Sequence, residues 1–161
     1  MVLKSQVEWA LHCCAILAGL PAGKYLPTKD LAELHGLPKE YLSKALQGLS
    51  QAGLVLGTLG PKGGYRLAKA PSEITFLDIV EAIEGNQSSF VCTEIRKNNP
   101  CRKSGTRDGK SCAVARVMWK ADQAWRASLH ETSLADLVET LEEDVPATLW
   151  KETFAWVTAR I

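Results

Sequence analysis

The sequence predicts a mainly α fold: a winged helix-turn-helix DNA-binding domain with a two-stranded wing, followed by a long dimerisation helix. Three observations carry that reading. Two short helical patterns stand two residues apart at 26–36 and 38–53, two strand-like triplets flank a Gly-rich stretch at 57–64, and a broad apolar stripe runs over 114–129. With 161 residues and 46% apolar content the chain can bury a core without disulfides.

The first helix is expected over about 4–19, where Val7, Leu11, Cys14, Ala15, Leu17 and Ala18 recur at helical spacing and Gly19 with Pro21 ends the run. Glu8 and His12, one turn apart, share a face; such a pair either holds a metal from one helix or forms a surface contact. Trp9 and Cys13 project to an adjacent side and, like Cys14, are expected to pack. In the second helix Thr28 is the expected cap, Leu31, Ala32 and Leu34 form the apolar face and Gly36 is the stop. Pro38 opens the third, in which Tyr41, Leu42, Ala45, Leu46 and Leu49 recur at i, i+3, i+4 until Ala52 and Gly53.

Helix, short turn, helix is the arrangement that lays the start of its second helix in the major groove. The candidate DNA contacts are therefore Thr28 and Lys29, then Pro38, Lys39, Tyr41, Ser43, Lys44 and Gln47. Residues 54–56 and 65–67 read as the strands of a wing, whose Lys62, Gly63, Gly64, Tyr65 and Arg66 join the list, the glycines by letting backbone N–H groups approach phosphates. No Gly-Lys-Ser/Thr opens a helix after these glycines, which excludes a nucleotide phosphate loop.

Residues 72–83 form a connecting helix with Thr75 as its cap. After Cys112 a helix to about 129 carries Val114, Val117, Met118, Ala121, Ala124, Trp125 and Leu129, a stripe wider than one small domain covers, so a two-fold homodimer is expected. Short helices follow at 133–141 and from Pro146, where Leu149, Trp150, Phe154, Trp156 and Val157 are assigned to packing. The domain boundaries read 1–70 for the DNA-binding domain, 71–111 for the connecting helix and a cysteine loop, and 112–161 for the dimerisation and C-terminal helices.

That loop, FVCTEIRKNNPCRKSGTRDGKSCAVA over 90–115, holds three of the five cysteines in a segment too polar to be core. Cys92, Cys101 and Cys112 are separated by eight and ten residues, wider than the tight pairs of zinc sites. Thiolates are the soft ligands of zinc and iron-sulfur centres, and Arg96, Lys97, Arg102, Lys103, Arg107 and Lys110 would lower their pKa and balance an anionic centre. Metal binding and a thiol switch both fit this pattern. No signal peptide or membrane span is read, so a cytoplasmic protein is expected. The front half is the more basic: residues 1–67 carry seven Lys/Arg against four Asp/Glu in a chain of net charge +1.

The segments GLPKEYL (36–42), AGLV (52–55) and GPKGGY (60–65), with the three-cysteine loop, resemble the Rrf2 family of bacterial regulators over about residues 1–142. VEWALHCC (7–14), FVCTEIR (90–96) and WRASL (125–129) strengthen the resemblance toward its redox-sensing iron-sulfur members. The resemblance implies a transcriptional repressor, not an enzyme, that binds double-stranded operator DNA as a homodimer. It implies a [2Fe-2S] cluster held by Cys92 and Cys112 of one subunit and by Glu8 and His12 of the other. The alternatives are a [4Fe-4S] cluster with Cys101 as third thiolate, a cluster-free thiol switch, and an iron-sulfur electron-transfer or carrier protein. Members with closely spaced cysteines place a histidine three residues after the last, where this chain has Ala115.

Overall fold

A computed structural model, describing residues 2–61, 63–105 and 109–161, wraps the chain around its first helix, α1 (Ser5–Ala18). Ala10, Cys13 and Cys14 are fully buried, along with Val7, Ala15, Ile16 and Leu17, so the single apolar face expected from the sequence widens to most of the circumference over 13–17. Both ends of α1 are fixed by distant segments. The Lys4 backbone N–H donates to Glu84 (2.6 Å) and its ammonium pairs with the same carboxylate (3.3 Å), while Gly19 lies under the Phe154 ring, where a Cβ would come within 2.2 Å of it.

Helices α2 (Thr28–His35) and α3 (Lys39–Gln51) form the helix-turn-helix, with Gly36 in the left-handed region (φ 63°) that stops α2. Thr28 is not the cap. It is the first helical residue, and extended Pro27 takes the cap position, because Leu26 is held in an antiparallel bridge with Tyr65 by two backbone hydrogen bonds (3.0 and 2.9 Å). The wing consists of β1 (Val55–Thr58) antiparallel to β2 (Gly64–Leu67), in register Val55 to Leu67 through Thr58 to Gly64. Its ladder runs further toward the tip than the sequence suggests, since Gly57 has no side chain to block the Tyr65 ring that lies across it.

A 3₁₀ turn (Pro71–Glu73) precedes α4 (Phe76–Glu84), so the expected helix from residue 72 is split at Ile74. Thr75 does cap it, exchanging hydrogen bonds with Asp78, and Ser133 with Asp136 caps α6 (Leu134–Asp144) in the same way. The two starts are stitched together: the Phe76 N–H donates to Thr132 O (2.9 Å) and the Leu134 N–H to Ile74 O (2.7 Å). Between them runs α5 (Ala113–His130), and α7 (Ala147–Thr158) ends the chain. Leu134 and fully buried Val157 share one hydrophobic cluster with α1, α2, α3 and the wing, so the core is continuous across the boundaries read from the sequence. No helix among the described residues is long and apolar enough to cross a membrane.

On α5 the chain itself buries only Ala115 and Asp122. The first part of the stripe that the sequence singles out is exposed, Val114 at 62%, Val117 at 68% and Met118 at 40%, whereas Trp125 and Leu129 are half-buried.

At the wing, a Cβ on Gly64 would lie 2.3 Å from the Leu26 carbonyl oxygen, and both residues are backbone-locked by their bridge. Gly64→Ala is expected to force the bridge open and cost roughly 1–3 kcal/mol. Gly109→Ala, where a Cβ meets nothing within 4 Å among the described residues, should stay within about 0.5 kcal/mol of the parent. Urea unfolding of the two variants checks this.

Candidate nucleic-acid interface and thiol site

Between the helix-turn-helix and the wing lies an open cleft of about 870 Å³, lined by Thr28, Lys29, Lys39, Gln47, Gly63, Gly64 and Tyr65 among others. Of the α3 set only Lys39 and Gln47 line it; Tyr41 and Lys44 are exposed elsewhere on the helix, and half-buried Ser43 donates to Lys39 O (2.8 Å). Tyr41 is 56% exposed, with the Lys44 ammonium 5.7 Å from its ring centre, and Pro38 is the exposed residue before the helix. Arg66 does not line the cleft. Its guanidinium stacks over Tyr25 (5.3 Å) and donates to Leu67 O (3.4 Å), and its Nε is buried with no partner among the described residues. Lys62 lies outside the described residues. Gly63 and Gly64 have a steric reason to be glycine besides any phosphate contact, since a Cβ on either would strike backbone atoms within 3 Å.

The second site is built on the loop before α5. Cys92, Glu94 and Arg96 alternate inward as half-buried residues, while Val91 and Ile95 point out at 79% and 72% exposure. Cys112 sits at the N-cap of α5. One donor atom each of Cys92, Glu94 and Cys112 lies within 4.8 Å of the other two. The backbone N–H of Ala115 and then that of Val114, the Arg96 guanidinium and a hydrogen bond from Cys92 together hold the Cys112 thiol below the ordinary thiol range. Arg96 also clasps Glu94 with two hydrogen bonds (2.5 and 2.8 Å) and reaches Lys110 O (3.3 Å). Two thiols in hydrogen-bonding reach, one of them biased toward thiolate and flanked by a guanidinium, suit a soft, anionic iron or zinc centre.

The loop is pinned where it starts. Asp122, buried on α5, accepts from the Ser89 hydroxyl (2.7 Å) and backbone N–H (3.2 Å), and Arg126 binds Asp122 (3.1 Å), Glu81 and the Gln87 carbonyl (2.8 Å). Trp119 Nε1 adds a donation to Phe90 O (3.4 Å). Cys101 is exposed, in a turn closed by its own N–H on Asn99 (2.9 Å), and does not belong to the three-donor group.

Glu8 and His12 are exposed side by side on α1, as their spacing predicts, and line a pocket of about 470 Å³ whose walls include Leu3, Val7, Leu11, Phe76 and Leu137. The His12 ring lies 5.9 Å from that of His35, whose Nε2 is buried without a partner among the described residues; burial, then His12, lowers the His35 pKa. Within one chain the Glu8-His12 pair and the thiol pair are not gathered into one ligand group. Cys13 and Cys14 are buried apart from both, and burial pushes the Cys13 thiol up to about 12. Sequence reasoning missed Glu94, whose only signal is its place two residues after Cys92, and Asp122, legible only as an i, i+4 partner of Arg126.

A helix-turn-helix with a paired wing, a cleft beside it that carries Lys29 and Lys39, and a long helix with an exposed apolar start define a winged-helix transcriptional regulator that binds DNA. Residues 3–140 match the family described as Rrf2, iron-dependent transcriptional regulator, and the chain belongs to that family. A Bacillus subtilis (strain 168) relative named as the HTH-type transcriptional regulator YwgB is 27% identical over 143 residues, 89% of this chain and 88% of its own. An Aquifex aeolicus (strain VF5) relative, also named as an HTH-type transcriptional regulator, is 37% identical over 81 residues, half of this chain and 56% of its own length. Among solved structures, CymR, the global cysteine regulator of B. subtilis, aligns with a TM-score of 0.67 and 25% identity over 87% of this chain and 98% of its own. The T. potens IscR structure aligns with the same TM-score at 23% identity, over 91% of this chain and 93% of its own, a likeness of fold.

The Ser89 hydroxyl, then its backbone N–H, and Arg126 hold the Asp122 carboxyl below the usual carboxylate range. A depressed folded-state pKa contributes stability above the unfolded value of about 4 and loses it as pH falls further. Asp122→Ala is expected to flatten the acid side of the stability profile below about pH 4 and to speed hydrogen exchange over 87–92 at neutral pH. A pH series of urea midpoints with exchange mass spectrometry measures both.

Proposed function

We propose that this regulator binds inverted operator half-sites as a two-fold dimer and reads redox state through a [2Fe-2S] centre shared between subunits. Cys92 and Cys112 of one protomer would hold it with Glu8 and His12 of the partner subunit. The observation that carries this reading is the division of the donors: two converging thiols beside an uncovered apolar helix, and an exposed Glu-His pair beside an apolar pocket on a different surface. Each half lacks what the other offers. Glu8 and His12 keep one register because α1 is locked by burial, and the Asp122-Arg126-Ser89 network holds Cys92 near Cys112. When bound, the centre supplies a one-electron couple whose potential is raised by imidazole in place of thiolate. Cys101, exposed and outside the donor group, fits poorly as the third thiolate of a four-iron site. A cluster-free thiol switch is the second reading, favoured by the Cys92-Cys112 hydrogen bond; that pair, rather than one with Cys101, would then be the oxidisable one.

Mixed dimers test the shared site. One subunit carries Glu8→Ala and His12→Ala, the other Cys92→Ala and Cys112→Ala, and each homodimer should be colourless. In the heterodimer trans ligation leaves one complete site of two, so about half the wild-type iron and visible absorbance should return by symmetry. A colourless heterodimer rejects sharing, and colourless wild-type protein that still binds DNA selects the thiol switch.

On DNA, Lys29→Gln at the cleft should weaken binding to all sequences alike and reduce the slope of log affinity against log salt by about one. Gln47→Ala should instead change base preference, with little effect on that slope. Gel shifts against a randomised half-site library at several salt concentrations separate the two; affinity independent of salt would show the cleft is not the binding face.

A further inference from the structure

Glu94 has no part in the shared site, yet its carboxylate lies with the two thiols. Among the described residues it is the one non-glycine with positive φ (56°), the left-handed region that side chains rarely adopt. That conformation sits just before the 3₁₀ turn Ile95–Asn98, and the carboxylate lies within 4.8 Å of both sulfurs. Strain of this kind gathers where side-chain placement matters more than backbone comfort.

We propose that the cluster-free chain holds one thiophilic divalent cation of the zinc class within a single subunit, on the thiolates of Cys92 and Cys112 and the carboxylate of Glu94. Tetrahedral coordination with metal-sulfur bonds of ~2.3 Å and metal-oxygen bonds of ~2.1 Å sets neighbouring donors about 3.6–3.8 Å apart. From a ceiling of 4.8 Å the three atoms need contract by no more than about 1 Å, which half-buried side chains on a loop can supply. A fourth position stays open to water. Two thiolates and a carboxylate around a dication leave one net negative charge, and the Arg96 guanidinium and the amide N–H groups of Val114 and Ala115 face it. Arg96 need not let go of Glu94, because each carboxylate oxygen has a second lone pair for a metal.

This inference shares two thiols with the redox reading but requires neither Glu8, His12 nor a second copy, so either can fail alone. It makes the cation a competitor for cluster assembly. A chain loaded in this way leaves the Glu8-His12 pair of its neighbour without a shared ligand group, and so behaves as the cluster-free regulator.

Co(II) serves as the optical probe, titrated into reduced, cluster-free, full-length protein without oxygen. One Co(II) per chain should bind, with a thiolate-to-cobalt charge-transfer band and tetrahedral d–d bands that Zn(II) bleaches. Glu94→Gln should weaken binding by about a hundredfold or more, at or beyond the top of the roughly 10–100-fold range that loss of an outer partner costs. Cys92→Ala or Cys112→Ala should abolish the charge-transfer band, whereas Cys101→Ala and the Glu8→Ala, His12→Ala double variant should titrate like the parent. Arg96→Gln, which removes the ion pair but keeps the carboxylate, should retain the bands. The proposal is overturned if the parent shows no thiolate band, if Glu94→Gln titrates like the parent, if Arg96→Gln is as damaging as Glu94→Gln, or if the bands need Glu8 and His12.

Discussion

Everything in this chain leans on the burial of α1. Ala10, Cys13 and Cys14 present no surface to solvent, and the helix packs against α3, α4, α6 and β2 together. Small side chains at those positions let several backbones approach one helix at once, a tightly filled arrangement in which a shift of one member is passed to its neighbours. The same burial sorts the cysteines. Cys13 and Cys14 are buried and driven toward the neutral thiol, whereas Cys112 lies at a helix N-terminus beside the Arg96 guanidinium. Only the outer strip of α1, with Glu8 and His12, remains wet.

The long helix α5 inverts the usual arrangement of an amphipathic helix. Toward its own subunit it offers a buried carboxylate, Asp122, and the arginine one turn later, and toward solvent it offers Val114, Val117 and Met118. A buried carboxylate is tolerable only when its oxygens are satisfied, and here Ser89 and Arg126 occupy both. The polar face therefore works as a loop anchor, holding 87–90 beside the helix that carries Cys112. The apolar residues at the start of the helix stay exposed.

The helix-turn-helix and wing were legible because their signals are local: a helix-stopping Gly36, period-3.6 apolar spacing and glycines around a tip. What sequence reading could not supply is long-range. Thr28 lost its cap role to a bridge between Leu26 and Tyr65, residues 39 positions apart in the chain. Arg66 turned from the cleft to Tyr25, a partner no periodicity reveals. Glu94 depends on a backbone conformation that no composition rule assigns to glutamate. The Glu8-His12 face was readable from spacing alone, and so were the thiols as a class, but the preference for Cys92 and Cys112 over Cys101 comes from the family resemblance, since spacing does not separate the three.

The C-terminal helix adds a contact that lies beyond the residues matched by the family. Phe154 covers Gly19, Val157 enters the core, and Arg160 stacks on Trp156 (3.5 Å) while approaching the buried Asp30 (3.7 Å) and Glu33 (3.8 Å) of α2. So α2 is braced from the outside by α7 while α3 is braced from the inside by α1. Under the shared-site proposal, an occupant bridging Glu8 and His12 to the partner subunit's Cys92 and Cys112 acts on α1 and, through its packing, on α3. Such an occupant can shift the DNA-binding equilibrium only by the difference in its affinity for the two arrangements. A tenfold change in operator affinity needs a differential of about 1.4 kcal/mol, a small fraction of what two thiolates, a carboxylate and an imidazole contribute to holding a metal centre. Under that proposal the differential reaches α3 through its packing against α1.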